Sequence, residues 1–167
     1  MIDHIVLDID GTMTDGGIFI SENSVESKQF QAKDGLLVRV LPQLGFTTMF
    51  LTGRSSELTF IRAEDLKISV VFQGVNDKAA LLKKYMKEHG LSGSRFAYIG
   101  DDLNDYAVMK LCAFKACPAD ATSEIRGLCD YVSDCKGGHG AVRDICEYLL
   151  HKQNQYDSFL ALFDAKG

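Results

Sequence analysis

Four short apolar bursts, each closed by polar or glycine residues, constrain this chain more than any other feature of it. Ile5–Ile9 runs into Asp10-Gly11, Thr47–Thr52 into Gly53, Val70–Gln73 into Gly74, and Phe96–Ile99 into Gly100. Continuous apolar runs of this length suit strands buried on both faces. Helical spacing fills much of the rest. Asp34–Leu44 carries Leu36, Leu37, Val40, Leu41 and Leu44 before the stop at Gly45. Ser55–Leu66, Asn76–His89 (capped by Asn76), Leu103–Cys112 and Gly140–Lys152 follow. Strand–helix alternation predicts an α/β fold: a Rossmann-like, mostly parallel sheet flanked by helices. With no repeat and no low-complexity linker, residues 1–167 read as a single domain. Gly16–Phe30 breaks the rhythm, with Ile18–Ile20 and Val25–Phe30 around the turn-like Glu22-Asn23-Ser24. It reads as a β-hairpin inserted after the first strand, too short for a cap domain. Beyond Lys152, the tail of residues 153–167 sets Tyr156, Phe159, Leu160, Leu162 and Phe163 at the spacing of a short amphipathic helix.

In open α/β sheets the ligand sits beyond the carboxyl ends of the strands. The polar closures therefore collect candidate chemistry at one edge. In Asp8-Ile9-Asp10-Gly11-Thr12 the two acids, two apart on extended chain, face one side. Such a pair needs a cation or a shared proton, and a hard cation such as Mg²⁺ prefers oxygen ligands. One carboxylate can then attack phosphorus while the other handles a proton. A strand end with solvated acids explains a lone DxD about as well. In Gly100-Asp101-Asp102-Leu103-Asn104-Asp105, helix capping accounts for one or two acids. Three acids and an Asn exceed what a cap needs, and a metal site explains the surplus. Thr52-Gly53-Arg54 offers a hydroxyl and free N–H groups at a helix start, where anions bind, although by itself it is a plain N-cap turn. Lys78 lies in a helix's first turn, against the dipole; alone it is an ordinary surface lysine. Gly137-Gly138-His139-Gly140 marks an unusual backbone path into a helix.

Charge and composition narrow the partners. The net charge is −5 and no Lys/Arg cluster exists, which argues against a nucleic-acid surface. An anionic substrate then requires a local cation or a few aimed donors. No apolar run approaches the roughly 20 residues that span a bilayer, so no membrane partner is expected. The first residues lack the basic start of a secretion signal, and the expectation is a cytoplasmic protein. Five cysteines without a CxxC pair read as reduced, buried thiols.

Taken in order, the paired acids, hydroxyl–glycine turn, lysine and acid cluster resemble the four-motif signature of the haloacid dehalogenase superfamily. Within it the chain is similar to the capless 3-deoxy-D-manno-octulosonate 8-phosphate phosphatases, from about Asp3 to Leu150. Asp8-Ile-Asp-Gly-Thr-Met-Thr-Asp-Gly-Gly17, Leu51-Thr-Gly-Arg54, Phe72-Gln-Gly74, Lys78, Tyr98-Ile-Gly-Asp-Asp-Leu-Asn-Asp105 and Gly137-Gly-His-Gly-Ala-Val-Arg143 carry the resemblance. It implies the haloacid dehalogenase fold and a Mg²⁺-dependent phosphatase for a small phosphorylated keto-sugar acid. Asp8 resembles the nucleophile and a metal ligand. Asp10 resembles the general acid/base, with its backbone carbonyl on the metal. Asp101 resembles the third protein ligand, with Asp102 and Asp105 outside it. Thr52 and Gly53 would hold phosphoryl oxygens, Lys78 would bridge Asp8 and phosphate, and Arg54 would meet the sugar acid's carboxylate. The family also implies a homotetramer in which inserted hairpins assemble and a neighbour closes each site. Thr12, where the family more often has an aliphatic residue, and the tail after Leu150 depart from its pattern.

Two alternatives stand beside this reading. One is a phosphatase for a nine-carbon, sialic-type sugar acid phosphate or another small phosphomonoester. The other is a non-catalytic phospho-signalling or interaction domain. Receiver domains set their acceptor Asp on a central strand near mid-chain, where this sequence has Phe72-Gln73-Gly74.

Overall fold

The computed structural model describes residues 1–23 and 25–165. Ser24 of the expected turn and residues 166–167 of the expected tail lie outside the described residues. Six parallel strands form the main sheet in the order β5-β4-β1-β6-β7-β8. They are β1 (His4–Leu7), β4 (Thr47–Leu51), β5 (Val70–Phe72), β6 (Phe96–Ile99), β7 (Phe114–Cys117) and β8 (Tyr131–Val132). The first four coincide with the apolar bursts. The last two escape the burst pattern because Lys115 interrupts one and the other is only two residues long. β1 lies between β4 and β6, with His4 opposite Thr47 and Phe96, and Leu7 opposite Phe50 and Ile99.

The period-2 alternation of β1 divides the core. Ile5 and Leu7 enter one apolar cluster and Val6 the other. The first cluster is covered by α1 (Ala32–Val40), α2 (Glu57–Asp65), α6 (Ala141–Lys152) and α7 (Tyr156–Ala161). The second is covered by α3 (Lys78–Glu88), α4 (Leu103–Met109) and α5 (Ser123–Leu128). A sheet with helices on both faces follows, as the strand–helix alternation predicts. The pair β2 (Phe19–Ile20) and β3 (Glu26–Ser27) forms a separate antiparallel hairpin, shorter than the sequence suggests, and no cap domain is present among the described residues.

Two local outcomes, at the ends of α1 and α3, differ from the sequence expectations. The helix predicted to reach Leu44 stops as an α-helix at Val40 and tightens into a 3₁₀ turn over Leu41–Leu44. Pro42 causes the change, since it has no N–H to donate to the preceding turn. The cap of α3 is Asp77 and not Asn76: its Oδ1 accepts from the Ala80 N–H at 2.8 Å. The tail helix packs on its own subunit through Phe159, which is buried in the first cluster beneath Arg143. Leu162 and Phe163 remain partly exposed.

Candidate active site

β1, β4 and β6 are adjacent, and β1 is where the sheet's winding reverses direction, so their carboxyl ends open on the crevice expected to hold a ligand. Asp8 is the first residue beyond β1; its N–H donates to the Ile99 carbonyl at 3.0 Å and so extends the ladder to β6. The chain then swings through a wide turn over Ile9–Met13. Gly11 sits there at φ +93°, a conformation that favours glycine. A Cβ at Gly11 would stand 2.1 Å from Asp101 Oδ2, so glycine is also what lets the two loops meet. From beneath, Gly138 N–H donates to the Thr12 carbonyl at 3.2 Å. A Cβ on Gly137 would come within 1.8 Å of the Gly11 carbonyl oxygen. The glycine run before α6 is thus the close-packed floor of the Asp8–Thr12 turn.

Lys78 opens α3, yet it is buried and not on the surface. Its Nζ donates to Asp8 Oδ1 at 2.8 Å and to Asp105 Oδ1 at 2.7 Å. Asp105, fully buried in the first turn of α4, also accepts from the Tyr98 hydroxyl at 2.7 Å and the Asp101 N–H at 3.1 Å. Asp101 Oδ1 accepts from the buried Thr12 hydroxyl at 2.9 Å. Asp8, Asp101 and Asp105 each bring an oxygen within 4.8 Å of the others. Asp102 is turned away. It is exposed, and its Oδ1 accepts from the Leu103 N–H at 2.7 Å as the cap of α4. The sequence pairs Asp102 with Asp105; the fold separates them, one to a helix end and one to the heart of the site.

Thr52 is the first residue beyond β4, buried, with its Oγ1 accepting from the Arg54 N–H at 3.4 Å. Gly53 faces Asn104 across the crevice: a Cβ there would lie 3.7 Å from Asn104 Nδ2. Arg54 reaches the other way. Its Nε lies 3.8 Å from Asp10 Oδ2, and its Nη2 lies 3.6 Å from Glu26 Oε2 on the hairpin. Asp10 Oδ1 meets the Lys28 ammonium at 2.6 Å. Every residue expected from sequence, Asp102 apart, therefore lies on this crevice. Thr12 and Tyr98, which lie in the motifs without a role assigned to them there, and Lys28, which lies outside them, join it as supports. Tyr98 is hidden within an apolar strand and Lys28 within the hairpin; a buried polar group without local cause is visible only in three dimensions.

The electrostatics follow from burial. Asp8 is pushed up to about 8, first by desolvation and then by the charge of Asp105, with the Lys78 ammonium pulling downward. Asp101 is pushed up to about 7, again chiefly by desolvation; the Thr12 hydroxyl pulls it down and the Asp105 charge pushes it further up. Burial alone would lower Lys78, but the charges of Asp8 and Asp105 and the hydrogen bonds they accept outweigh it and the net shift is upward. Lys78 is therefore a fixed ammonium. Two buried carboxylates with raised pKa values, offering only oxygen donors, fit a divalent hard cation. Such an ion would supply the counter-charge that one lysine, shared with Asp105, does not.

The sequence profile of the haloacid dehalogenase-like hydrolases matches residues 46–145. The 3-deoxy-D-manno-octulosonate 8-phosphate phosphatase of Escherichia coli K12 is 33% identical over 163 residues, 98% of this chain and 84% of that one. Among solved structures, the phosphatase of that name from Moraxella catarrhalis, in complex with magnesium ion, phosphate ion and KDO, superimposes with a TM-score of 0.93 at 38% identity. The match covers 97% of this chain and 93% of that one. The cobalt-bound deoxy-D-mannose-octulosonate 8-phosphate phosphatase from Haemophilus influenzae gives a TM-score of 0.89 at 31% identity, over 95% of this chain and 92% of that one.

Proposed function

Because the chain belongs to the haloacid dehalogenase-like hydrolase family, we propose that it is a Mg²⁺-dependent phosphatase releasing phosphate from 3-deoxy-D-manno-octulosonate 8-phosphate. One observation carries the reading: the buried Asp8–Lys78–Asp105 bridge stands beside Asp101 at the carboxyl ends of β1 and β6. It holds a carboxylate and an ammonium where a phosphoryl group can meet both.

The chemistry proposed for these residues has two halves. A carboxylate oxygen of Asp8 forms a bond to phosphorus as the bond from phosphorus to the sugar oxygen breaks. Asp10 gives its proton to that departing oxygen, and the sugar acid leaves. Asp10 then takes a proton from water as the water oxygen bonds to phosphorus. The phosphorus–Asp8 bond breaks, and inorganic phosphate is released. Lys78, Thr52 and Gly53 would hold the phosphoryl oxygens, with the ammonium stabilising their growing charge. The carboxylates of Asp8 and Asp101 and the backbone carbonyl of Asp10 would hold Mg²⁺. When bound, that ion would offset the negative charge that otherwise repels an anionic substrate from anionic Asp8. Arg54, at the rim and half exposed, suits the substrate carboxylate, because a guanidinium can make paired hydrogen bonds to it.

Assembly as a homotetramer belongs to the same proposal. The hairpin leaves Phe19, Ile20 and Val25 exposed to 68, 69 and 61%, an apolar tip that supports hairpin-to-hairpin association. A cytoplasmic site of action belongs to the same proposal; no helix among the described residues is long and apolar enough to cross a membrane. The test is phosphate release from the eight-carbon substrate, with and without Mg²⁺, for wild type and Asp8→Asn. A nine-carbon sugar acid phosphate and an aryl phosphate run beside it. Mg²⁺-dependent turnover that favours the eight-carbon substrate and vanishes in the variant is expected. Preference for the nine-carbon compound would remove the substrate assignment and leave the chemistry.

A further inference from the structure

Lys28 is a lysine where the hairpin does not need one. It follows β3, on a two-stranded element with little core of its own, yet its side chain is wholly buried. A lysine normally keeps its ammonium in water, and burying it costs several kcal/mol unless a charge answers it. The answering charge is Asp10: Lys28 Nζ lies 2.6 Å from Asp10 Oδ1 and 3.4 Å from Glu26 Oε1. The contact is one-sided. Oδ1 faces the lysine, whereas among the described residues the cation facing Asp10 Oδ2 is Arg54, its Nε at 3.8 Å. Among the described residues, neither Lys28 Nζ nor either Asp10 oxygen completes a hydrogen bond of ordinary geometry. Oδ1 therefore faces a cation and Oδ2 is left without a donor: the proton that Asp10 carries as general acid sits on Oδ2, and Glu26 then remains the counter-charge of Lys28.

We propose that Lys28 is a positioning residue: from the hairpin it fixes Asp10 Oδ1 and so turns Oδ2 to pass the proton to the departing sugar oxygen. This rests on the reading of Asp10 as general acid in the phosphatase. It makes the hairpin part of the catalytic apparatus of its own subunit, in addition to any role in assembly. It also explains why Glu26 lies beside both cations: it pairs Lys28 and Arg54 and ties the hairpin across the rim.

The readout is the leaving group. A sugar alkoxide cannot depart without a proton, whereas p-nitrophenolate can, so only the first depends on where Asp10 points. Single-turnover transfer to the Mg²⁺-loaded wild type, Lys28→Met and Lys28→Arg would be followed with both 3-deoxy-D-manno-octulosonate 8-phosphate and p-nitrophenyl phosphate. In Lys28→Met the sugar-phosphate step is expected to fall about 10- to 100-fold, part of what a positioned general acid typically contributes. The nitrophenolate burst should stay within about threefold, a barrier change under 1 kcal/mol. Lys28→Arg, which keeps the charge, should recover part of the loss. Equal losses on both substrates, no loss on the sugar phosphate, or a change confined to KM would overturn the proposal. If Lys28→Met does not fold, as seen by circular dichroism, Lys28→Arg carries the same comparison: a smaller but still selective loss supports the proposal, and an unselective one overturns it. A wild type that binds Mg²⁺ but leaves the sugar phosphate intact would overturn the functional reading and this inference together. That outcome is distinct from a wild type that is active and a variant that is unselective.

Discussion

Asp105→Asn is the sharpest probe of the buried bridge, because it keeps the shape and removes one charge. In the wild type three donors converge on this carboxylate: Lys78 Nζ at 2.7 Å, the Tyr98 hydroxyl at 2.7 Å and the Asp101 N–H at 3.1 Å. An amide cannot serve all three. If its oxygen stays with Lys78 and Tyr98, its NH₂ faces the Asp101 N–H. If it is flipped, the NH₂ faces the ammonium. In either orientation at least one buried donor loses its acceptor, which costs about 1–3 kcal/mol. Removing the charge also relieves repulsion, since Asp105 helps raise both Asp8 and Asp101. That relief counts most without metal, so the comparison belongs in saturating Mg²⁺. There the variant is expected to lose about 1–3 kcal/mol, or roughly 2 to 12 °C in Tm for a chain of this size. With its second tether gone, Lys78 should stabilise the phosphoryl group less well. Removal of a positioned donor typically costs about 10²- to 10³-fold in kcat, and a displaced one should cost at least a tenfold part of that. Denaturant titration with fixed m-value, together with steady-state kinetics on the same preparation, reads both quantities. Unchanged midpoint and unchanged kcat in Mg²⁺ would mean that the three hydrogen bonds do not hold the site together.

Other outcomes follow from the same geometry. Asp8 sits near 8 instead of its ordinary 3.8, so the folded protein holds its proton more tightly than the unfolded chain does. The Asp8 contribution to metal-free stability is then fully present below about pH 4 and lost as pH rises through about 8. The stability difference between wild type and Asp8→Asn, measured by thermal unfolding in EDTA, should fall between pH 5 and 8; a rise would contradict it. Gly137→Ala should both destabilise the fold and depress activity, because its Cβ would stand 1.8 Å from the Gly11 carbonyl oxygen and force the Asp8–Thr12 turn upward. Wild-type kinetics for that variant would count against the floor role of the glycine run. Phe159→Ala should lower stability by about 3–5 kcal/mol, as for other buried phenylalanines, with kcat unchanged. A near-zero change would show that α7 is not part of the subunit's own core.

The sequence by itself determined the strand–helix alternation, four of the six strands of the sheet and the edge at which chemistry gathers. These are properties of local patterning: apolar bursts of strand length, helical spacing between them, and polar residues or glycine at each burst's end. It also determined the identity of Asp8, Asp10, Asp101 and Lys78 as candidates, since their order along the chain is itself the signal. Only the tertiary structure decided how the acids divide their work. Asp102 and Asp105 are three apart and equally acidic, but one faces solvent at the α4 cap while the other meets Lys78, 27 residues away, in the interior. It also decided that the side chains of Lys78 and Lys28 are buried, although Lys78 reads locally as a surface lysine. The glycine run from Gly137 announces an unusual path, but its purpose lies in the backbone of Gly11 and Thr14, more than a hundred residues earlier. Burial and charge pairing are set by what other segments bring to a point in space. No window of neighbouring residues contains that information.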